Sequence, residues 1–261
     1  MSGKKKIYYA RTYRRIKIDI KMSILFTCLL MIPTLMVFIL NIDTITQKLA
    51  QISMWVLSKV FPEESISVIH SHYSILGTVQ YVELPITYPE FSTVCFNLVF
   101  CFGIYLLMRL FKKTGKPVGI FLLYTLLVHV VNCVFFVFYG DEFPYTIGEY
   151  SDLYIKQQIG IWIMFLILAS LVVGFIGKKM YGYKILTFSG IMLYSMIYGG
   201  VRYIVFLFFL HKFSVLYMAL MFFVIGPMFD FSYFVAIYAI FIHKIIKEYD
   251  FGKKKGEWKW S

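Results

Sequence analysis

Six apolar stretches constrain this chain more than any other feature: residues 22–42, 91–111, 117–139, 155–177, 185–210 and 214–243. Each is long enough to cross a hydrocarbon core of about 30 Å as a helix rising about 1.5 Å per residue. Hydrophobic residues make up 60% of the chain, against about half in soluble domains. The 27 Phe and 21 Tyr suit lipid-facing and interfacial positions. The expected fold class is therefore an all-α polytopic membrane protein. Gly226-Pro227 interrupts the last stretch, because proline has no N–H for the helix ladder, and a kink or break is expected there.

Charge sets the expected direction of the spans. With a cytoplasmic N-terminus, segments 1–21, 109–116, 178–184 and 244–261 lie inside and hold 21 of the 26 Lys and Arg residues. The outside segments 43–90, 140–154 and 211–213 hold Lys48, Lys59 and Lys212, against nine carboxylates. By the positive-inside rule both termini are cytoplasmic, and the outer face is acidic. The chain carries a formal net charge of +12, which in a soluble protein would suggest nucleic acid. Here the basic runs 4–17 and 252–260 act as topology determinants that touch anionic lipid head groups. No nucleic-acid partner is expected. The predicted location is an integral position in a bacterial cytoplasmic membrane, with lipid and a membrane protein as partners.

The organisation follows: a basic N-terminus (1–21), a first span (22–42), an outer segment (43–90), a five-span bundle (91–243) and a basic tail (244–261). Within the outer segment, residues 44–61 repeat Ile45, Leu49, Ile52, Val56 and Val60 at helical spacing, with Thr46, Gln47, Gln51, Ser58 and Lys59 opposite. This predicts an amphipathic surface helix, ended by Pro62. The following stretch SISVIHSHYSILGTVQYVELPITYP is rich in Val, Ile, Tyr and Thr and punctuated by Gly77. It predicts a small outer β-hairpin, with His70 and His72 as surface residues on one face of its first strand.

Polar residues inside the spans are the candidate functional groups, because burying them in lipid is costly. At about 1.5 Å per residue, Cys95 lies about 6 Å below the outer boundary, with Asn97 within a turn of it. His129 lies about 15 Å, Asn132 about 10 Å and Arg202 about 12 Å below the outer ends of their spans. Gln157 and Gln158 open the fourth span. Together these residues predict one polar pocket in the outer leaflet. Asp230 is the intramembrane acid available to Arg202, yet a straight helical hairpin places position 202 opposite 222 and leaves Asp230 about 12 Å deeper. A direct pair requires the break at Gly226-Pro227; otherwise Tyr194 is the expected neighbour of Asp230. The four cysteines all lie in apolar runs, without disulfide or metal spacing. No Walker, GxGxxG, HExxH or nucleophile-elbow motif is present, and no cofactor or metal is expected.

The order of features from 44 to about 175 resembles the exosortase/archaeosortase family of membrane transpeptidases. LSKVF…SILGTVQYVELPITYPEFSTVCFNLVF resembles the approach to that family's nucleophilic Cys, which falls on Cys95. HVVNCVFF supplies the Asn of its Asn-x-x-Arg motif as Asn132, and YSDLYIKQQIGIWIMF resembles the start of its His span. The resemblance implies a surface helix, a short β segment and a Cys–Arg–His site. Here Phe96-Asn97 replaces the Ser-Gly after the Cys, Phe135 stands at the Arg position, and Lys156, Gln157 and Gln158 stand around the His position.

The expected function is therefore an accessory or scaffold subunit of a cell-envelope machine, with exopolysaccharide synthesis or export implied by the resemblance. One alternative is a cysteine transpeptidase using Cys95, with Arg202 as cation and His129 as base, since a thiol needs such partners to act as a nucleophile. The other is a small-solute or lipid transporter built around Arg202 and the broken last span.

Overall fold

The computed structural model describes residues 15–16, 20–110, 117–175, 181–251 and 258–259. The basic runs 4–17 and 252–260 lie almost wholly outside the described residues. A two-residue pairing joins β1 (Arg15–Ile16) to β4 (Trp258–Lys259) and brings the two chain ends together.

Six described helical segments are long and apolar enough to cross a membrane, and the chain is an all-α polytopic membrane protein with one small hairpin. The first span is α1 (Ile20–Leu40). Pro33 sits inside it without breaking it. The Thr34 hydroxyl donates back to the carbonyls of Leu30 and Met31 one turn earlier (2.5 and 3.1 Å). Asn41 closes the helix by donating to the Val37 carbonyl (2.7 Å).

Next comes α2 (Ile42–Val60), then β2 (Ser67–His72) and β3 (Thr78–Glu83). The strands pair antiparallel from Ser67↔Glu83 to His72↔Thr78. Gly77 in the connection has φ +95, a conformation that costs a residue with a Cβ but not glycine. The hairpin sits on the side of the body away from the chain ends, between α2 and the start of the fourth span. Its even-numbered face meets α2 through Asp43, which accepts from Thr78 and Gln80 (3.1 and 3.3 Å). Its odd-numbered face meets α5 through Ser71, which donates to Asp152.

Helix α2 does not present the face expected from its hydrophobic stripe. Its buried residues are Ile42, Thr46, Ala50, Ser53 and Leu57, while Ile52 and Trp55 are more than half exposed. Small side chains let β3 and α6 approach the backbone closely, and the larger apolar residues are left for lipid. The packing face is thus turned one residue past the stripe, whose Ile45 and Leu49 still pack partly against the core.

The remaining spans are α3 (Phe91–Leu110), α4 (Pro117–Tyr139), α5 (Ile147–Phe175) and α6 (Tyr181–Lys212). The apolar window predicts the fourth span from 155, but α5 starts at Ile147. The cause is a capping box, in which Thr146 Oγ1 accepts from Glu149 N (3.1 Å) and Glu149 accepts from Thr146 N (2.8 Å). Helices α5 and α6 are the most buried spans, whereas α1, α3 and α4 expose most of their length. The sixth span is irregular: a 3-10 turn (Val215–Tyr217), α7 (Met218–Leu220), a π-turn (Met221–Ile225) and then α8 (Gly226–Phe251). Pro227 cannot donate to the carbonyl one turn back, and the π-turn lies immediately before Gly226-Pro227.

Candidate functional site

Rather than one outer-leaflet pocket, the intramembrane polar residues form two separate clusters. Both act on the irregular start of the sixth span. The first ties α3 and α4 to the 3-10 turn. Asn97 Oδ1 faces His129 Nε2 at 3.1 Å and accepts from the Tyr217 hydroxyl at 3.2 Å. The His129 and Tyr217 rings stack with centroids 5.4 Å apart. Asn132 donates to the Leu216 carbonyl. Ser214, fully buried, caps the same turn by accepting from Leu216 N (2.8 Å).

The second cluster is centred on Arg202, which is 4% exposed. Its Nε donates to the Tyr154 hydroxyl (2.7 Å), its Nη2 to Gln158 Oε1 (2.6 Å) and its Nη1 to the Gly226 carbonyl (2.7 Å). Asp230 Oδ2 lies 2.8 Å from the same Nη1, forming a buried ion pair on the nitrogen that also serves the Gly226 carbonyl. The Tyr233 hydroxyl donates to Asp230 Oδ1 (3.4 Å) and pairs with Ser195 (2.6 Å).

The direct Arg202–Asp230 pair corrects the straight-hairpin register. Between Ser214 and Gly226 the chain is not a regular helix, so 202 meets 226 and 230 instead of 222. Tyr233, not Tyr194, is the hydroxyl partner of Asp230, and Tyr194 packs against the Tyr233 ring at 5.0 Å. Gly199 makes room for the cluster, since a Cβ there would stand 2.8 Å from the Gln158 amide.

Two candidates join neither cluster. Cys95 is partly exposed on α3, and no hydrogen bond or ion pair reaches it among the described residues. Gln157 is half-buried and likewise makes no described hydrogen bond, although its neighbour Gln158 is central. His129 turns its Nε2 to Asn97 and stacks on Tyr217, Arg202 is held by Tyr154, Gln158, Gly226 and Asp230, and no described hydrogen bond or ion pair joins either to Cys95. His70 and His72 are exposed, and no described group of His, Cys, Asp or Glu has metal-binding geometry.

Two cavities are described. One, of about 530 Å³, lies between Tyr88, Phe91, Val94, Phe136 and Asp141. The other, of about 620 Å³, is an apolar lateral groove between α4, Tyr150 and Phe222. Neither is lined by Cys95, Arg202 or Asp230.

Sequence reasoning missed two groups that fasten the hairpin. Tyr203, fully buried on α6, accepts from Val82 N (2.9 Å) and pairs with the Ser151 hydroxyl. Thr46 accepts from Gln80 N (3.3 Å). A tyrosine in an apolar run and a threonine on the polar side of α2 gave no distinguishing signal. Around the odd-numbered face, burial first, then the Asp152, Glu83 and Glu149 carboxylates, holds the Tyr81 phenol above its usual range. No protein-family model, curated protein sequence or solved structure matches this chain.

Proposed function

We propose that this chain is a non-catalytic membrane subunit, an accessory or scaffold component of a cell-envelope machine. In this reading the hairpin faces the outside, both ends are cytoplasmic, and the body is an exosortase-like frame in an exopolysaccharide pathway. The observation that supports it is the use made of Arg202. A catalytic or substrate-binding cation must be reachable by its target, whereas Arg202 is 4% exposed, lines neither described cavity, bonds within the fold through each of its three nitrogens and has its charge paired with Asp230. Irregular backbone at membrane depth persists only where side chains satisfy it, and Arg202, Asn132 and Ser214 do this for the sixth span. Among the described residues no hydrogen bond or ion pair reaches the Cys95 thiol to activate it.

Cys95→Ala is expected to complement a deletion in the native host at the wild-type level, with unchanged protein abundance. Loss of function at normal abundance would overturn the reading in favour of a cysteine transpeptidase. Orientation is tested separately in a background without the four native cysteines. Ser65→Cys is expected to react with a membrane-impermeant maleimide in intact cells, and Lys21→Cys only after permeabilisation. The reverse pattern would invert the topology.

A further inference from the structure

The two edges of the hairpin are treated differently. In an antiparallel pair, backbone groups point alternately toward the partner strand and away from it. On β3 the outward N–H groups of Gln80 and Val82 are taken by Thr46 Oγ1 and the Tyr203 hydroxyl. Their register partners on β2 are His70 and Val68, so these residues, with His72, also turn their backbone groups away from the hairpin. No hydrogen bond reaches those groups from any described residue.

Proteins usually blunt such an edge with proline, a charged residue, a bulge or a covering element. The β2 sequence SVIHSH has no proline and no Lys, Arg, Asp or Glu. Its register runs unbroken over six pairs. The surroundings are acidic: Glu63 and Glu64 lie exposed just before the strand, Glu83 stands opposite Ser67, and Asp152 and Asp43 hold the two faces. Of the nearby basic groups, Lys156 is paired to Asp152 at 2.6 Å, His211 faces Glu64 at 3.6 Å and Lys59 sits over the Trp55 ring at 3.7 Å, which leaves Glu63 and Glu83 without a described cation.

We propose that the free edge of β2 is a docking strand for an extended, basic segment of a partner protein, which adds to the hairpin as its third strand. This deepens the accessory reading and rests on it. Backbone hydrogen bonds at Val68, His70 and His72 supply the attachment, as in other cases of strand addition. The surrounding carboxylates select Lys and Arg on the incoming strand. A second copy of this chain would bring the same carboxylates together edge to edge, so self-pairing is disfavoured.

The test uses the full chain in lipid nanodiscs. The probe is a capped hexapeptide alternating Lys and Val, at up to millimolar concentration. Binding is followed by fluorescence anisotropy and by amide hydrogen exchange. The basic peptide is expected to bind and to slow exchange at residues 68, 70 and 72. A peptide alternating Glu and Val should bind at least about tenfold more weakly, and Val68→Pro/His70→Pro should lose at least about tenfold, the cost of two hydrogen bonds. Proline at these outward positions leaves the β2–β3 ladder intact, so amides 69 and 81 should stay protected. If they do not, an N-methylated basic peptide replaces the variant and must fail to bind.

Several outcomes overturn the inference. They are no protection at millimolar basic peptide, equal binding of the acidic peptide, binding insensitive to both proline and N-methylation, and edge protection that rises with protein concentration alone. The last would assign the edge to a second copy. A failed peptide assay with functional Cys95→Ala sinks this inference only. Loss of function in Cys95→Ala sinks the accessory reading, whatever the peptide does.

Discussion

Arg202→Ala lowers the stability of the folded chain in detergent by about 3–5 kcal/mol, the range for breaking a buried ion pair from one side. The guanidinium is 4% exposed and Asp230 1%, so neither is rescued by bulk water. Removing the Arg leaves the Asp230 carboxylate without its cation and takes the donor from the Gly226 carbonyl and from Gln158. The Gln158 Nε2 already has no partner, so the amide loses its one described hydrogen bond. Arg202→Lys should restore little of this, because an ammonium cannot span Tyr154, Gln158 and Gly226 as a planar fork does. Arg202→Met/Asp230→Leu should recover the part of the loss that comes from the unpaired Asp230 charge, while the Gly226 carbonyl and Gln158 remain without their donor. Chemical unfolding of Arg202→Met, Asp230→Leu and the double variant closes the cycle. A loss below about 1 kcal/mol for Arg202→Ala would place the pair with exposed, weakly contributing ion pairs and remove the structural account of the sixth span.

The parts of the fold legible in the sequence are those governed by the bilayer or by one strong local rule. Span number follows from hydrocarbon thickness. The hairpin follows from β-branched alternation around Gly77. The early start of α5 was also written locally, as Thr146 and Glu149 at capping-box spacing, but an apolar window does not register a polar motif. The face of α2 was not legible, because a hydrophobic stripe marks a packing face only when water lies opposite. Where the alternative to protein is lipid, small residues such as Thr46, Ala50 and Ser53 mark it instead.

The candidate residues divide for a similar reason. Depth along a straight helix can be counted, and it grouped Asn97, His129, Asn132 and Arg202 in one leaflet. Which residues meet depends on helix rotation and on the irregular start of the sixth span. A one-residue π insertion has no sequence signature beyond the Gly226-Pro227 that follows it. The count therefore names the polar residues without resolving their division into two clusters.

Tyr203→Phe is expected to cost about 1–3 kcal/mol, the penalty for leaving buried polar groups unsatisfied. The ring is kept, so its stacking on Tyr154 (5.2 Å between centroids) remains. What is lost is the oxygen that accepts from Val82 N and pairs with Ser151. Both groups then lie in a site from which water is excluded, since Tyr203 and Ser151 are fully buried. The effect should be local as well as global: amide exchange at residue 82 should accelerate more than in the α5–α6 core. Arg202 and Tyr203 are consecutive on α6, and Tyr154 both accepts from the first and stacks on the second. One helical step thus fastens the sixth span on one side and the hairpin on the other. Arg202→Ala and Tyr203→Phe should therefore be non-additive by about 0.5 kcal/mol or more, the signature of neighbours sharing a partner. Strict additivity, with exchange at residue 82 unchanged in Arg202→Ala, would mean that the hairpin and the membrane body are held independently.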